Sequence, residues 1–265
     1  MKQRPLSPAT ALLRIQTLGG FRVWRQDAFV EPAAWGREKA VQLFQFFVTM
    51  RRRSLHKEEI IERLWPELDG EQGDRDFKVA LNAIYKALEP EREPRAQSQF
   101  IRRYELAYAL DTSQVWIDAD AFEQHIEQGN QALAARFAPE SAIPHYQAAV
   151  ELYGGAYLPE RRYEDWTSAE RERLQALGLS TMTRLADMLI ERDALESLRL
   201  TQRVLGLEPI WEDAYRVQMR AHLAQGNRAM ALRTYQQCAE VLQREFALEP
   251  LPETQALYKK IATGK

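Results

Sequence analysis

Two stretches of this chain repeat each other at a fixed distance of 34 residues. Ser197, Thr201 and Val204 return as Ala231, Tyr235 and Cys238, and the same offset joins Asp193 to Asn227, Leu198 to Leu232 and Arg199 to Arg233. The pattern is clearest at Ala142, Tyr146 and Ala149. Residues three and four apart share one helix face, so small side chains there let a second helix approach and the tyrosine fills the gap. Such a helix pair cannot bury its apolar face alone, and neighbouring pairs must stack on it. The first copy precedes the second by 55 residues rather than 34, which requires an insertion. LYGGAYLPERRYEDW, residues 152–166, supplies it, and its charged runs near 160–166 are expected as a solvated loop. Tyr146, Tyr235 and Trp211 are expected to pack between helices. A 34-residue period of this kind predicts a tetratricopeptide-like array.

The front of the chain has a different rhythm. Residues 14–24 alternate and carry a Gly19-Gly20 break, which reads as one or two short strands. From Trp35 to Met50 the period becomes helical, with Ala40, Leu43, Phe44, Phe47 and Met50 on one face. Arg51 to Arg53 close that segment as a solvated turn. A second helix starts at His56, with Glu59 placed to reach back to the cap and Leu55 and Ile60 flanking it; Pro66 marks its exit, and Trp65 is expected in the core. A third covers about Glu71 to Leu88, capped by Asp69, with Phe77, Leu81, Ile84 and Leu88 inward. Residues 100–110 read as a β-hairpin with Ala107 in the turn, after which the chain becomes helical beyond Val115.

Strands, three helices and a terminal hairpin in this order resemble the winged helix-turn-helix head of the OmpR/PhoB type. The motifs that carry the likeness are LRIQTLGGFRV, WGREKAVQLFQFF, LHKEEIIERLWPE, DFKVALNAIYKALEP and FIRR with YAL. The closest likeness is to the head that precedes the bacterial transcriptional activator domain. WIDADAFEQH, LYGGAYLPERRYEDW and ALEPLPETQALYKKI resemble that domain itself. The expected organisation is a mainly α chain, with a winged helix-turn-helix domain over 12–111 and an all-α, tetratricopeptide-like activator domain over 116–261.

The resemblance implies a sequence-specific DNA-binding transcriptional regulator, an activator, whose third helix enters the major groove. The polar face of that helix holds Arg75, Lys78, Asn82 and Lys86. Asparagine offers the donor and acceptor that match an adenine edge, while lysine and arginine reach guanine or phosphate. Arg102 and Arg103 on the hairpin are the candidates for the wing, although neighbours on a strand point to opposite faces and only one can face DNA. The related heads also touch RNA polymerase through the loop after the second helix, here Pro66 to Gly73. The helical domain would mediate homodimerisation or contact with a partner.

Net charge is −2, which offers no global attraction for nucleic acid. The distribution is uneven: residues 1–111 carry 19 Lys+Arg against 16 Asp+Glu, and the rest 17 against 22. A basic local patch at the front is therefore compatible with DNA. One cysteine, Cys238, excludes an internal disulfide and a thiolate metal site, and suits a reducing compartment. Met1–Leu13 reads as a loose lead-in, without a signal peptide or membrane span, so the expected location is the cytoplasm, away from membranes. No phosphate loop, HExxH or GxSxG motif is present. His56, His125, His145 and His222 are scattered, so no enzyme, metal or cofactor is expected. The alternative reading is a protein-interaction adaptor whose winged head has lost DNA binding.

Overall fold

In the computed structural model, which describes residues 7–93, 95–134 and 139–264, Leu13 and Ile15 are buried while Arg14 and Gln16 are half-buried. That is the two-residue period of a strand covered on one face. The expected lead-in lies, over residues 1–6, outside the described residues. Strand β1 (Leu13–Gln16) pairs antiparallel with β2 (Arg22–Arg25), and β2 with the short β3 (Ala28–Phe29). A 3-10 turn at Pro32–Trp35 ends at Gly36, and α1 (Glu38–Thr49) starts three residues after Trp35. Strand β4 (Leu55–His56) leads directly into α2 (Lys57–Leu64), followed by α3 (Gly70–Leu88).

Strands β5 (Ile101–Tyr104) and β6 (Ala107–Leu110) form the hairpin, and the sheet order is β4-β6-β5. Its two-residue loop is Glu105-Leu106, with Tyr104 opposite Ala107, so Ala107 belongs to the strand and not to the turn. Glu105 takes the positive φ of 55° that such a tight loop requires. The chain does not turn helical at Val115. Val115–Ile117 forms β7, parallel to β1 and completing the sheet β3-β2-β1-β7. Three residues are too few for periodicity to declare a strand, and the pairing partner lies about 100 positions earlier in the chain.

The chain packs as two compact units. The first contains residues up to Ala121 together with Gly154–Arg173; the second contains Phe122–Tyr153 and everything from Leu174. This division by packing differs from the division by sequence likeness, because residues 154–173 lie inside the stretch read as activator domain. They interrupt the helical array, as the spacing requires, but pack with the first unit; Glu160, Arg162, Tyr163 and Asp165 stay exposed, whereas Trp166, expected in the same loop, is buried. Glu160 and Glu164 accept hydrogen bonds from the buried amides of Gln45 and Gln42 at 2.7 and 2.8 Å. Trp166 sets its ring edge-on to Phe46, with centroids 5.4 Å apart. The Tyr157 hydroxyl meets Thr49 Oγ1 at 2.9 Å. Gly19 lies so close to this segment that a Cβ there would fall 2.8 Å from the carbonyl of Gly154.

Helix α1 is consequently buried nearly all round, from Gln42 to Val48, rather than along one stripe. Phe44, Phe46 and Phe47 are each essentially inaccessible, and burial of each ring contributes about 2–3 kcal/mol. Met50, expected inward, is only half-buried. Arg51 is the largest departure from the sequence reading. Its side chain is 3% exposed; it donates to Asp120 through Nε and Nη2, to Glu170 at 3.4 Å and to the carbonyl of Val48. Burial opposes its charge, and the bonds to Asp120 more than restore it, so its pKa lies above the usual arginine value.

The second unit is helical: the greater part of α4 (Asp118–Ala134), α5 (Ile143–Leu152), the latter part of α6 (Asp165–Leu189), α7 (Ala194–Leu207), α8 (Glu212–Ala224), α9 (Arg228–Phe246) and α10 (Pro252–Thr263). The 34-residue offset is a structural repeat. Asp193 and Asn227 are the N-caps of α7 and α9, accepting from the backbone N–H groups of Glu196 and Met230 at 3.0 and 3.2 Å. Ser197, Thr201 and Val204 are buried on α7, as are Ala231 and Cys238 on α9. Tyr235 stacks on Tyr258 at 4.1 Å. Tyr146 fills the space above Gly129 of α4, where a Cβ would come within 2.5 Å of its ring.

Arg51→Ala should cost on the order of 1–3 kcal/mol, because it removes a buried cation with its packing and leaves the Val48 carbonyl without that donor, while Asp120 and Glu170 keep Arg52 and Arg173 nearby. The expected readout is a lower midpoint of chemical unfolding with an unchanged slope; a midpoint within error of the parent would show that this ion pair is not needed.

Candidate nucleic-acid interface

Asp69 caps α3 by accepting from the backbone N–H of Gln72 at 2.8 Å, an arrangement worth about 1 kcal/mol. Phe77, Ala80, Leu81, Ile84 and Leu88 are buried on the inner face. Gly73 stands where α2 crosses, and a Cβ there would lie 2.5 Å from Cγ2 of Ile61. A glycine at that point is what lets the two helices of the helix-turn-helix approach. The cap on α2 is simpler than expected: His56 Nδ1 accepts from Glu58 N–H at 3.4 Å, while Glu59 turns away to Arg53. Leu55 and Ile60 are both buried, and Trp65 is in the core, edge-on to Phe77.

The opposite face of α3 exposes Arg75, Lys78, Val79, Asn82 and Lys86. These positions form one continuous surface, and its charge is partly matched within the protein. Asp74 accepts from Lys57 and from Lys78, the latter at 2.5 Å. Hydrogen bonds from Lys57 and then Lys78 hold the Asp74 carboxyl below the usual carboxylate range. Arg75 lies 4.0 Å from Asp76. Asn82 and Lys86 make no hydrogen bond or ion pair among the described residues, so their donors and acceptors are available to a ligand.

On the hairpin, Arg102 and Arg103 diverge as strand geometry demands. Arg102 Nε donates to Asp111 at 2.8 Å, and Arg103 Nε to the carbonyl of Glu105 at 2.9 Å. The Arg103 guanidinium also lies over Tyr108, which packs on Phe77 of α3. The hairpin thereby sits directly against the third helix. Sequence reading missed Arg92 and Arg95, which line a groove with Arg102 and Arg103. Residues 89–99 have no periodicity that would place their side chains; the two arginines in so short a connector were the available signal.

No group of three metal-ligating side chains occurs among the described residues. His125 and His145 approach to 6.4 Å between ring centroids without a third partner. Cys238 is buried, and burial pushes its thiol up to about 12, which removes the thiolate needed for nucleophilic or redox chemistry. No helix among the described residues is long and apolar enough to cross a membrane.

The sequence model of the bacterial transcriptional activator domain matches residues 117–262. Among solved structures, EmbR of Mycobacterium tuberculosis, in a complex with a low-affinity phosphopeptide, is similar with a TM-score of 0.82 at 19% identity. The similarity covers 96% of this chain and 66% of that one, just under two thirds of its length. At this identity it bears on the fold alone, a winged helix-turn-helix head followed by helical repeats. A component of the Sec complex of S. cerevisiae also aligns, over 74% of this chain and 88% of its own, at 14% identity and a TM-score of 0.38, too low to inform the fold. A comparison with curated proteins found no match.

Asp74→Asn should release Lys57 and Lys78 and tighten binding to a random-sequence duplex at low salt by about threefold, with a steeper salt dependence. Because the folded pKa of Asp74 is depressed, its stabilising effect is present above the unfolded carboxylate value and is lost as pH falls through the folded one. The variant should therefore melt lower than the parent at neutral pH and lose less stability on acidification. Equal acid limbs in the two melting series would contradict the Asp74 assignment.

Proposed function

The chain belongs to the bacterial transcriptional activator domain family, and from that premise we propose that it is a sequence-specific, DNA-binding transcriptional activator. The observation that carries the reading is the outer face of α3. It presents unpartnered Asn82 and Lys86, flanked by Arg75 and Lys78, on a helix whose inner face is locked by Phe77, Leu81 and Ile84. A helix held this way can enter a major groove without disturbing its own core. In this reading Asn82 bonds an adenine edge and Lys86 meets a phosphate. DNA reading belongs to the head, residues 12–111. The helical region, 116–261, pairs with a second copy or contacts a partner in the cytoplasm. The turn around Pro66 to Gly73, which opens on a groove between α2 and α3, is the proposed RNA polymerase contact.

The head so defined depends on residues beyond its sequence boundary. Both oxygens of Asp118 accept from the backbone N–H of Thr17, and Oδ2 accepts from that of Leu18 as well. DNA-binding experiments therefore call for the full chain.

The test separates base reading from backbone contact. Asn82→Ala should cost on the order of 1–3 kcal/mol on the preferred operator, selected from a random duplex library, and little on random DNA. Lys86→Ala should weaken both alike and reduce the salt slope by about one. Both variants should keep the parent's circular dichroism and melting temperature, since neither residue is buried. An unchanged ratio of operator to random binding in a folded Asn82→Ala protein would exclude this face as the reader. A parent that binds no duplex at any salt would favour the interaction adaptor.

A further inference from the structure

Helix α3 ends at Leu88 and β5 begins at Ile101. Between them the chain folds back so that the Arg92 guanidinium lies flat over the ring of Tyr85, 4.2 Å from carbon to centroid. Arg92 Nη1 donates to the carbonyl of Ala96. Arg92, Arg95, Arg102 and Arg103 all line one groove of about 800 Å³, in which Asp111 is the lone carboxylate among the lining residues. Three of these guanidinium groups are held by a single nitrogen each: Nη1 of Arg92, Nε of Arg102 and Nε of Arg103. A guanidinium has five N–H donors, so each keeps most of its donors without a partner among the described residues. Their orientation is nevertheless set by the ring of Tyr85, by Asp111 and by the Glu105 carbonyl.

Positive groups that are oriented in advance and still carry unused donors bind a phosphate without the ordering cost of a free side chain. The position of the groove selects the kind of phosphate. Tyr85 lies three residues beyond Asn82 on α3, so the groove adjoins the proposed reading face on the same side of the helix. A duplex strand leaving the bases opposite Asn82 and Lys86 meets it next. We propose that this groove seats the sugar-phosphate backbone of DNA, with Arg92 and Arg95 as phosphate contacts beyond those of the wing. The proposal rests on the DNA-reading function above and adds residues that the sequence motifs do not include.

Full-length parent, Arg92→Ala/Arg95→Ala and Arg92→Lys would be titrated by fluorescence anisotropy against a random-sequence duplex at several salt concentrations. Melting curves would confirm that each is folded. The double variant should bind roughly tenfold more weakly at low salt, with a salt slope smaller by about two. Arg92→Lys should restore most of the slope that loss of Arg92 removes. If the double variant is folded and keeps the parent's slope and affinity while Asn82→Ala still loses operator discrimination, the groove is not a backbone seat and the reading function stands. A parent that binds no duplex overturns both. Saturable binding of a polyglutamate or phosphoserine peptide that requires Arg92, with DNA binding untouched by the double variant, would assign the groove to an acidic protein partner and overturn the proposal.

Discussion

Arg51 carries a permanent charge into a site where 3% of its side chain meets solvent. A guanidinium cannot shed its proton to escape that environment, so the surroundings must supply the compensation. They do so from three places in the chain: the end of α1 through the Val48 carbonyl, the start of α4 through Asp120, and the start of α6 through Glu170. Replacing such a cluster with apolar residues could be as stable or more so. Its physical effect is to specify one arrangement, since one buried cation gathers acceptors from three separate elements.

The same logic extends along α1. A helix with two buried glutamines needs polar partners on the side that would otherwise face water, and Glu160 and Glu164 provide them. An unpartnered buried amide costs about 1–3 kcal/mol, comparable to the gain from burying one aromatic ring beside it. The segment 154–173 therefore belongs to the first unit by necessity of hydrogen bonding as well as by the packing of Trp166 on Phe46. The consequence for function is direct. The opposite side of α1 and the inner face of α3 share a core with the hairpin, and the exposed face of α3 is only as rigid as that core.

Where charge meets the proposed DNA surface, the protein moderates its own attraction. Asp74 ties Lys57 of α2 to Lys78 of α3, and Asp111 ties Arg102. The first pair braces the helix-turn-helix crossing at the expense of positive potential on the outer face of α3. If this face reads DNA as proposed, fewer uncommitted charges are left on it to hold a duplex regardless of sequence.

Much of this architecture was legible from local chemistry. The caps at Asp69, Asp193 and Asn227, the inward stripe of α3 and the 34-residue offset all arise from residues within one or two turns of each other, or from repetition of one such unit. The outer face of α3 follows from the same stripe, which is why the sequence alone puts Asn82 and Lys86 on it. Tertiary structure alone decided the rest, because the partners are far apart in sequence. Arg51 meets Asp120 across 69 residues, Thr17 meets Asp118 across 101, and Gln45 meets Glu160 across 115. Arg92 is brought beside Arg103 by a connector without periodicity. Local pattern reports which face of an element is apolar, but a charged or polar side chain reads the same whether it will meet water or a partner. Only the packed fold, by removing water, makes that choice.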